Sequence, residues 1–244
     1  SHRNYISLVA ADRTTSPRSL IASAQATGQG DFQNKADELK KALGGTSLYL
    51  VGMMGSGKST IGNILSQALS YRFFDVDDLI EKSFNAPVKQ LFEEQGEDAF
   101  RDIETSVMQE LSQYTRSIVS TGGGAVLRRA NWGQMHHGIV VFLNGTAGTL
   151  ASRICGAQKE KRPLLKDVGD EQGLVDKLDA MLSDRINLYR EADVEVVLEE
   201  SNSGEALPTE QVTLLVIEKV LEKIESKQKE VEERKNFKVE GLES

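Results

Sequence analysis

Nine consecutive residues, Gly52-Met53-Met54-Gly55-Ser56-Gly57-Lys58-Ser59-Thr60, have the types and spacing best suited to chemistry. They fit G-x-x-x-x-G-K-[ST], with Gly52, Gly57, Lys58 and Ser59 at the fixed places. Glycines let a backbone curl until its N–H groups point inward at phosphate oxygens. The helix that follows adds its positive N-terminus. Lys58 then offers a cation to the β- and γ-phosphates, and Ser59 offers a hydroxyl to Mg²⁺. An apolar run precedes the motif and an amphipathic run follows it, which is the strand-then-helix setting such a loop needs. Alone, the motif indicates a nucleotide phosphate without naming a reaction.

Three further groups could act beside it. Asp75 and Asp77, in Phe73-Phe74-Asp75-Val76-Asp77-Asp78, are predicted to end a strand. Ligands of open α/β sheets gather at the carboxyl ends of strands. Residues i and i+2 share one side of a strand, so this pair could hold Mg²⁺ and orient an acceptor hydroxyl. The competing role is helix capping, since Asp77 and Asp78 open an apolar helix. Gly122-Gly123-Gly124 follow a strand and permit close backbone approach to a ligand, or simply a tight strand–helix turn. Arg101 beside Asp102 and Glu104, Arg162 before Pro163, and Arg185 supply planar guanidinium groups suited to carboxylate and phosphate. Taken singly, each is the kind of residue more often found in a surface salt bridge.

The elements that must position these groups follow from hydrophobic periodicity. Strands are predicted over 47–52, 71–77, 117–121, 139–143 and 194–198. Helices are predicted over 61–69, 78–84, 88–94, 97–113, 128–137, 148–154 and 173–189, with a long helix from 208. Alternating strands and helices imply the α/β class, with a parallel sheet covered on both faces. Phe32, Ala36, Leu39 and Leu43 lie near helical spacing and suggest a lead-in helix over 31–43. Val212, Leu215, Val216, Val220 and Ile224 trace an apolar stripe. Beyond Glu225 the chain turns to Lys and Glu, as a solvated helix end or tail does; it is too short for the heptads of a coiled-coil surface. The expected division is a tail with lead-in helix over 1–45, one domain over 46–225 and a charged tail over 226–244.

Composition narrows the function classes. A chain of 244 residues with 39% hydrophobic residues can bury a normal core. Its net charge of -8 argues against a nucleic-acid coat, which needs surplus cations. One cysteine, Cys155, excludes an intramolecular disulfide framework and a multi-cysteine zinc site. Three histidines, His2, His136 and His137, leave little for a His-based metal centre. Apolar runs such as 139–143 fall far below the roughly 20 residues of a membrane helix. The chain begins at Ser1, and residues 1–30 are rich in Ser, Thr and Ala, with Arg3, Arg13 and Arg18 against Asp12. That composition suits the remnant of an organelle transit peptide, or an ordinary disordered tail.

Taken together, the motifs resemble those of the shikimate kinase family, with the plant plastid form as the best match, over about 46–199. The family's GMMGSGK[ST] loop is matched by Gly52 to Thr60, and its F-x-D-x-D by Phe73, Asp75 and Asp77. F-R-x-x-E is matched by Phe100, Arg101 and Glu104, and [ST]-x-GGGAV by Ser120 through Val126. R-P-L-L is matched by Arg162 to Leu165, and R-x-x-x-Y by Arg185 and Tyr189. The resemblance implies a P-loop nucleoside monophosphate kinase-like fold. Such a fold has a five-stranded parallel sheet with helices on both faces, a helical substrate-binding insert and a lid. It implies ATP and Mg²⁺ as cofactors and shikimate as the small-molecule substrate, in a monomer of the plastid stroma. Gly52, Gly55, Ser56, Gly57, Lys58, Ser59, Thr60 and Arg162 would hold ATP. Ser59 would bind Mg²⁺ directly and Asp75 through water. Asp77 would orient, and help deprotonate, the 3-hydroxyl of shikimate. Arg101, Arg185 and Gly122 to Gly124 would hold its carboxylate, with Glu104 supporting Arg101. Lys58, Asp77 and Arg162 would form the catalytic set.

Two stretches depart from the plant pattern. Leu143-Asn144-Gly145-Thr146-Ala147-Gly148 stands where plant enzymes have a run like L-D-V-P, and the approach to R-P-L-L, Cys155 to Lys161, is charged rather than small. Plants also carry shikimate kinase-like proteins outside the shikimate pathway, one type serving chloroplast biogenesis. The departures and the charged tail make a nucleotide-binding protein of that kind the alternative to an active kinase.

Overall fold

The computed structural model describes residues 29–154, 163–165 and 170–240. Five strands form one sheet: β1 (Leu48–Val51), β2 (Arg72–Asp75), β3 (Ser117–Ser120), β4 (Ile139–Asn144) and β5 (Val194–Val197). Their order is β2-β3-β1-β4-β5, and every pairing is parallel. In the centre Leu50 faces Ser120 on one side and Val141 on the other. Successive residues of a strand point to opposite faces. All four residues of β1 and of β3 are buried, so both faces of the sheet centre are covered. Edge strand β5 instead alternates between buried and less buried positions.

Parallel neighbours need crossovers, and helices supply them. α2 (Lys58–Leu69) carries the chain from β1 to β2. α3 (Val76–Phe84) and α4 (Val88–Leu111) lie between β2 and β3, and α5 (Arg129–Met135) between β3 and β4. α6 (Ala147–Arg153) and α7 (Glu171–Tyr189) lie between β4 and β5. After β1 the chain moves to one side of that strand, and with β4 it crosses to the other. The carboxyl end of β1 is thus a topological switch point, where a ligand crevice is expected.

Helix α1 (Gln29–Leu43) and helix α8 (Thr209–Glu240) complete the body. α8 packs on β5, β4 and α2, and α1 packs on α8 and α2. Ala36, Leu39 and Leu43 of α1 are buried in the same core as Val212, Val216 and Val220 of α8. Lys35 and Glu218 form an ion pair between the two helices. The apolar stripe of α8 ends as its sequence does, and residues 225–234 are exposed. The backbone stays helical to Glu240, so the charged stretch continues α8 as far as that residue.

Several boundaries differ from expectation. β2 stops at Asp75, which becomes the N-cap of α3: its side chain accepts hydrogen bonds from the N–H groups of Asp77 and Asp78. Asp77 therefore lies on the first turn of a helix, and the strand-spacing argument for pairing it with Asp75 does not hold. The two helices expected over 88–94 and 97–113 are both present, parted at the non-helical Gly96 (φ 83°, ψ 169°) and counted together as α4, which ends at Leu111 rather than 113. α7 starts earlier than 173 because Asp170 caps it, accepting from the N–H of Gly173 at 2.8 Å. Arg162 and the charged approach before it lie outside the described residues. Pro163–Leu165 forms a single 3₁₀ turn with Leu165 buried.

Replacing the fully buried Leu39 with Ala is expected to cost about 2–5 kcal/mol of unfolding free energy in urea titrations. A cost near zero would mean that α1 is an appendage and not part of the core.

Candidate active site

The loop between β1 and α2 closes around its own lysine. Lys58 Nζ donates to the carbonyl oxygens of Gly52 (2.8 Å) and Met53 (2.9 Å), and lies 3.4 Å from Ser56 Oγ. The ammonium is buried at the centre of the curl, within the loop that would wrap a phosphate. The curl leaves no room for side chains at Gly55. Its φ is +82°, and a Cβ there would sit 2.7 Å from the carbonyl oxygen of Leu150. Gly57, also left-handed, is the N-cap residue of α2 and aims the helix N-terminus at the loop.

Ser59, on the first turn of α2, donates to Asp75 Oδ2 at 2.6 Å, and its Oγ lies 3.4 Å from Ser120 Oγ. Asp75 Oδ1 meanwhile accepts from the N–H of Asp77 at 3.1 Å. A hydroxyl and a carboxylate thus meet at the mouth of the phosphate loop. Such hard oxygen donors suit Mg²⁺, which commonly takes one or two protein ligands and completes its shell with phosphate and water. Among the described residues no group of three or more His, Cys, Asp or Glu could hold a metal alone. A cation here would share the nucleotide's oxygens.

A buried ion pair lies at the other end of the cleft. Arg101 Nη1 donates to Glu104 Oε2 at 2.9 Å, and Nη2 donates to Glu97 Oε1 at 3.0 Å. The guanidinium also lies over the rings of Phe92 and Phe100, 5.5 Å from each centroid. Glu104 is fully buried, and burial raises its pKa while Arg101 opposes that rise. Burial acts against the charge of Arg101 too, but Glu104 and Glu97 outweigh it and the net shift is upward. The three glycines make room for this pair. A Cβ on Gly124 would collide with the guanidinium of Arg101, and one on Gly122 would collide with Glu104 Oε1 and sit 3.0 Å from Asp77 Oδ1. Gly123 contributes its carbonyl oxygen, which accepts from Tyr189 Oη at 2.5 Å and from Arg185 Nη1 at 3.5 Å.

These groups line one cleft of about 650 Å³ at the carboxyl end of the sheet. Gly55, Gly57, Lys58, Ser59, Thr60, Asp75, Asp77, Arg101, Glu104, Gly122, Gly123, Gly124 and Arg185 all face it. Gly52 and Ser56 act from behind, as partners of Lys58. Sequence reasoning gave no site role to Glu97, Phe92, Thr121, Arg153 or Tyr189. Tyr189 had a usable signal: it lies four residues after Arg185, hence on the same helix face. Its ring stacks on Phe142 (4.9 Å, 7°), and burial pushes its hydroxyl from 10.0 up to about 12. Arg153 ends α6 and donates to the carbonyl of Leu207 at 3.2 Å; nothing in its local sequence sets it apart.

The departure after β4 is fully accommodated. Asn144 Nδ2 donates to Glu195 Oε1 at 2.6 Å. Thr146 caps α6, and its own N–H donates to Glu199 Oε1 at 2.7 Å.

Tyr189→Phe keeps the ring stack and removes the donor to Gly123. The expected loss is about 1–3 kcal/mol of stability, measured in urea. The hydroxyl's raised pKa also predicts a pH effect. Between 10.0 and about 12 the unfolded chain releases this proton and the folded chain keeps it, so stability falls across that window. The fall should be smaller in the Phe variant.

The family model described as shikimate kinase matches residues 54–225, well over half of the chain. Shikimate kinase of the cyanobacterium Rippkaea orientalis is 44% identical over 171 residues, 70% of this chain and 88% of that protein. The Arabidopsis thaliana protein named shikimate kinase 1, chloroplastic, is 41% identical over 207 residues, 81% of this chain and 68% of that protein. Among solved structures, shikimate kinase from Acinetobacter baumannii in complex with shikimate superimposes with a TM-score of 0.64 at 32% identity. It covers 78% of this chain and 98% of that one. With the phosphate loop, Asp75, Asp77, Arg101, Glu104, the three glycines and Arg185 gathered in one cleft and these relatives on either side of the plastid–cyanobacterial divide, the chain belongs to the shikimate kinase family.

Proposed function

We infer that this chain transfers the γ-phosphoryl group of ATP to the 3-hydroxyl of shikimate, giving shikimate 3-phosphate and ADP. One chain of contacts carries the mechanism. Ser59 at the phosphate loop touches Asp75, Asp75 caps the helix bearing Asp77, and Asp77 faces Gly122 beside Glu104 and Arg101. Asp77 thus lies between a phosphate end and an anion-binding end, where an acceptor hydroxyl must sit. No observation on the cleft favours the alternative reading as a shikimate kinase-like protein.

Phosphoryl transfer asks the protein mainly for positioning and charge stabilisation. Arg101 and Arg185 take the shikimate carboxylate, with the Gly122–Gly124 backbone against the ring. Glu104 holds Arg101 in place from the buried side. Asp77 accepts the hydrogen bond of the 3-hydroxyl and draws its proton as the oxygen attacks phosphorus. Lys58, assisted by Arg162, stabilises charge on the transferring group. Mg²⁺, held by Ser59 directly and by Asp75 through water, would neutralise phosphate charge. Lys58 leaves its loop carbonyls when phosphate oxygens arrive. The plastid is the proposed compartment, in keeping with the chloroplastic relative, and a monomer is the proposed state. Among the described residues no helix is long and apolar enough to cross a membrane.

The test is shikimate-dependent ADP formation with Mg-ATP. Asp77→Asn should lower turnover by about 10²–10⁴-fold while ATP affinity stays nearly intact; unchanged turnover would remove Asp77 from the mechanism. Arg101→Lys keeps a cation for Glu104 but loses the planar fork, and should raise the KM for shikimate about tenfold or more. If only the KM for ATP rises, Arg101 does not hold the acceptor.

A further inference from the structure

The two carboxylates on Arg101 are not equivalent. Glu104 is 0% exposed and cannot leave, because no water would receive its charge. The Glu97 side chain is 49% exposed, and its bond to Nη2 can be exchanged for solvent at little cost. Glu97 also follows Gly96 directly, where α4 breaks. It therefore sits on the first turn of the new helical segment, with no preceding helical turn to restrain it. The guanidinium itself is 6% exposed and faces the cleft, and its Nε has no protein partner, so donors remain for a ligand right beside the one that Glu97 holds.

We propose that Glu97 is a displaceable internal stand-in for the acceptor's carboxylate, and so a determinant of acceptor affinity and selectivity. This rests on Arg101 being the acceptor's anchor, as inferred above. An arriving carboxylate meets a cation whose second nitrogen already holds a negative partner 3.0 Å away. The newcomer must push Glu97 into water or take the remaining donors of Arg101 against its repulsion. A ligand with further contacts, such as hydroxyls reaching Asp77, can meet that cost. A bare carboxylate cannot, and is turned away. Glu97 also quenches the local positive charge in the empty site, which disfavours stray phosphate or nucleotide at the acceptor end.

The experiment compares Glu97→Gln with the parent in steady-state kinetics. The variant should lower the KM for shikimate about two- to fivefold, the range expected for a half-exposed ion pair, while the KM for ATP does not follow. It should also strengthen competitive inhibition by benzoate, a carboxylate without the hydroxyls. An unchanged or raised KM for shikimate would overturn the proposal and make Glu97 a support for Arg101. Arg101→Lys separates the two levels. If it leaves the shikimate KM unchanged, the anchor reading itself has failed. If it raises that KM and Glu97→Gln does not lower it, only the stand-in has failed.

Discussion

The carboxylate of Asp75 divides its oxygens between two parts of the cleft. One oxygen accepts from Ser59 at the phosphate loop, and the other from the backbone N–H of Asp77. The same residue ends β2 and caps α3. One side chain thereby fixes where a strand stops, where a helix begins, and how far Asp77 lies from the Ser59 hydroxyl. An N-cap is worth about 1 kcal/mol to the helix. Its larger consequence is geometric, since the first turn of α3 cannot tilt without disturbing Ser59.

The far end of the cleft depends on a different device. Burying a guanidinium and a carboxylate is costly unless they pair well, and Arg101 and Glu104 do so at 2.9 Å. The arrangement still leaves Arg101 Nε and Glu104 Oε1 buried without a protein partner. Such groups are costly in a finished core and useful in a site that must receive a polar ligand. The glycines at 122 and 124 give up side chains to admit this pair. Tyr189 then holds the intervening carbonyl of Gly123 from the other side. Rigid scaffold and proposed acceptor site are therefore the same set of atoms.

Much of this was legible in the residues. The phosphate loop was, because its chemistry depends on consecutive backbone positions and needs glycine, lysine and a hydroxyl in fixed order. The strands were, because β1 and β4 are runs of buried apolar residues and β3 sets two more between serines. The role of Asp75 as a cap was read onto its neighbours, since three acids in four positions compete for one helix start and only geometry chooses. Glu97 was silent because an acid on a charged helix looks like any solvated residue; its meaning comes from Arg101, four positions on. The packing of α1 against α8 was hidden for another reason. The two helices lie about 180 residues apart, and no local pattern announces a partner that distant.

The last turns of α8 have a practical consequence. From Glu225 to Glu240 the helix runs on for 16 residues, about 24 Å at 1.5 Å per residue, and its side chains to Arg234 are exposed. Lys227 still pairs with Asp193, and Val231 and Glu232 border a groove shared with Thr46 and Ile139, so at most the last two turns, 233–240, extend past the body; even a short arm adds friction out of proportion to its mass. The protein will elute early from a sizing column, as a larger sphere would, so its true stoichiometry must come from scattered light or sedimentation equilibrium, which weigh a particle rather than measure its drag.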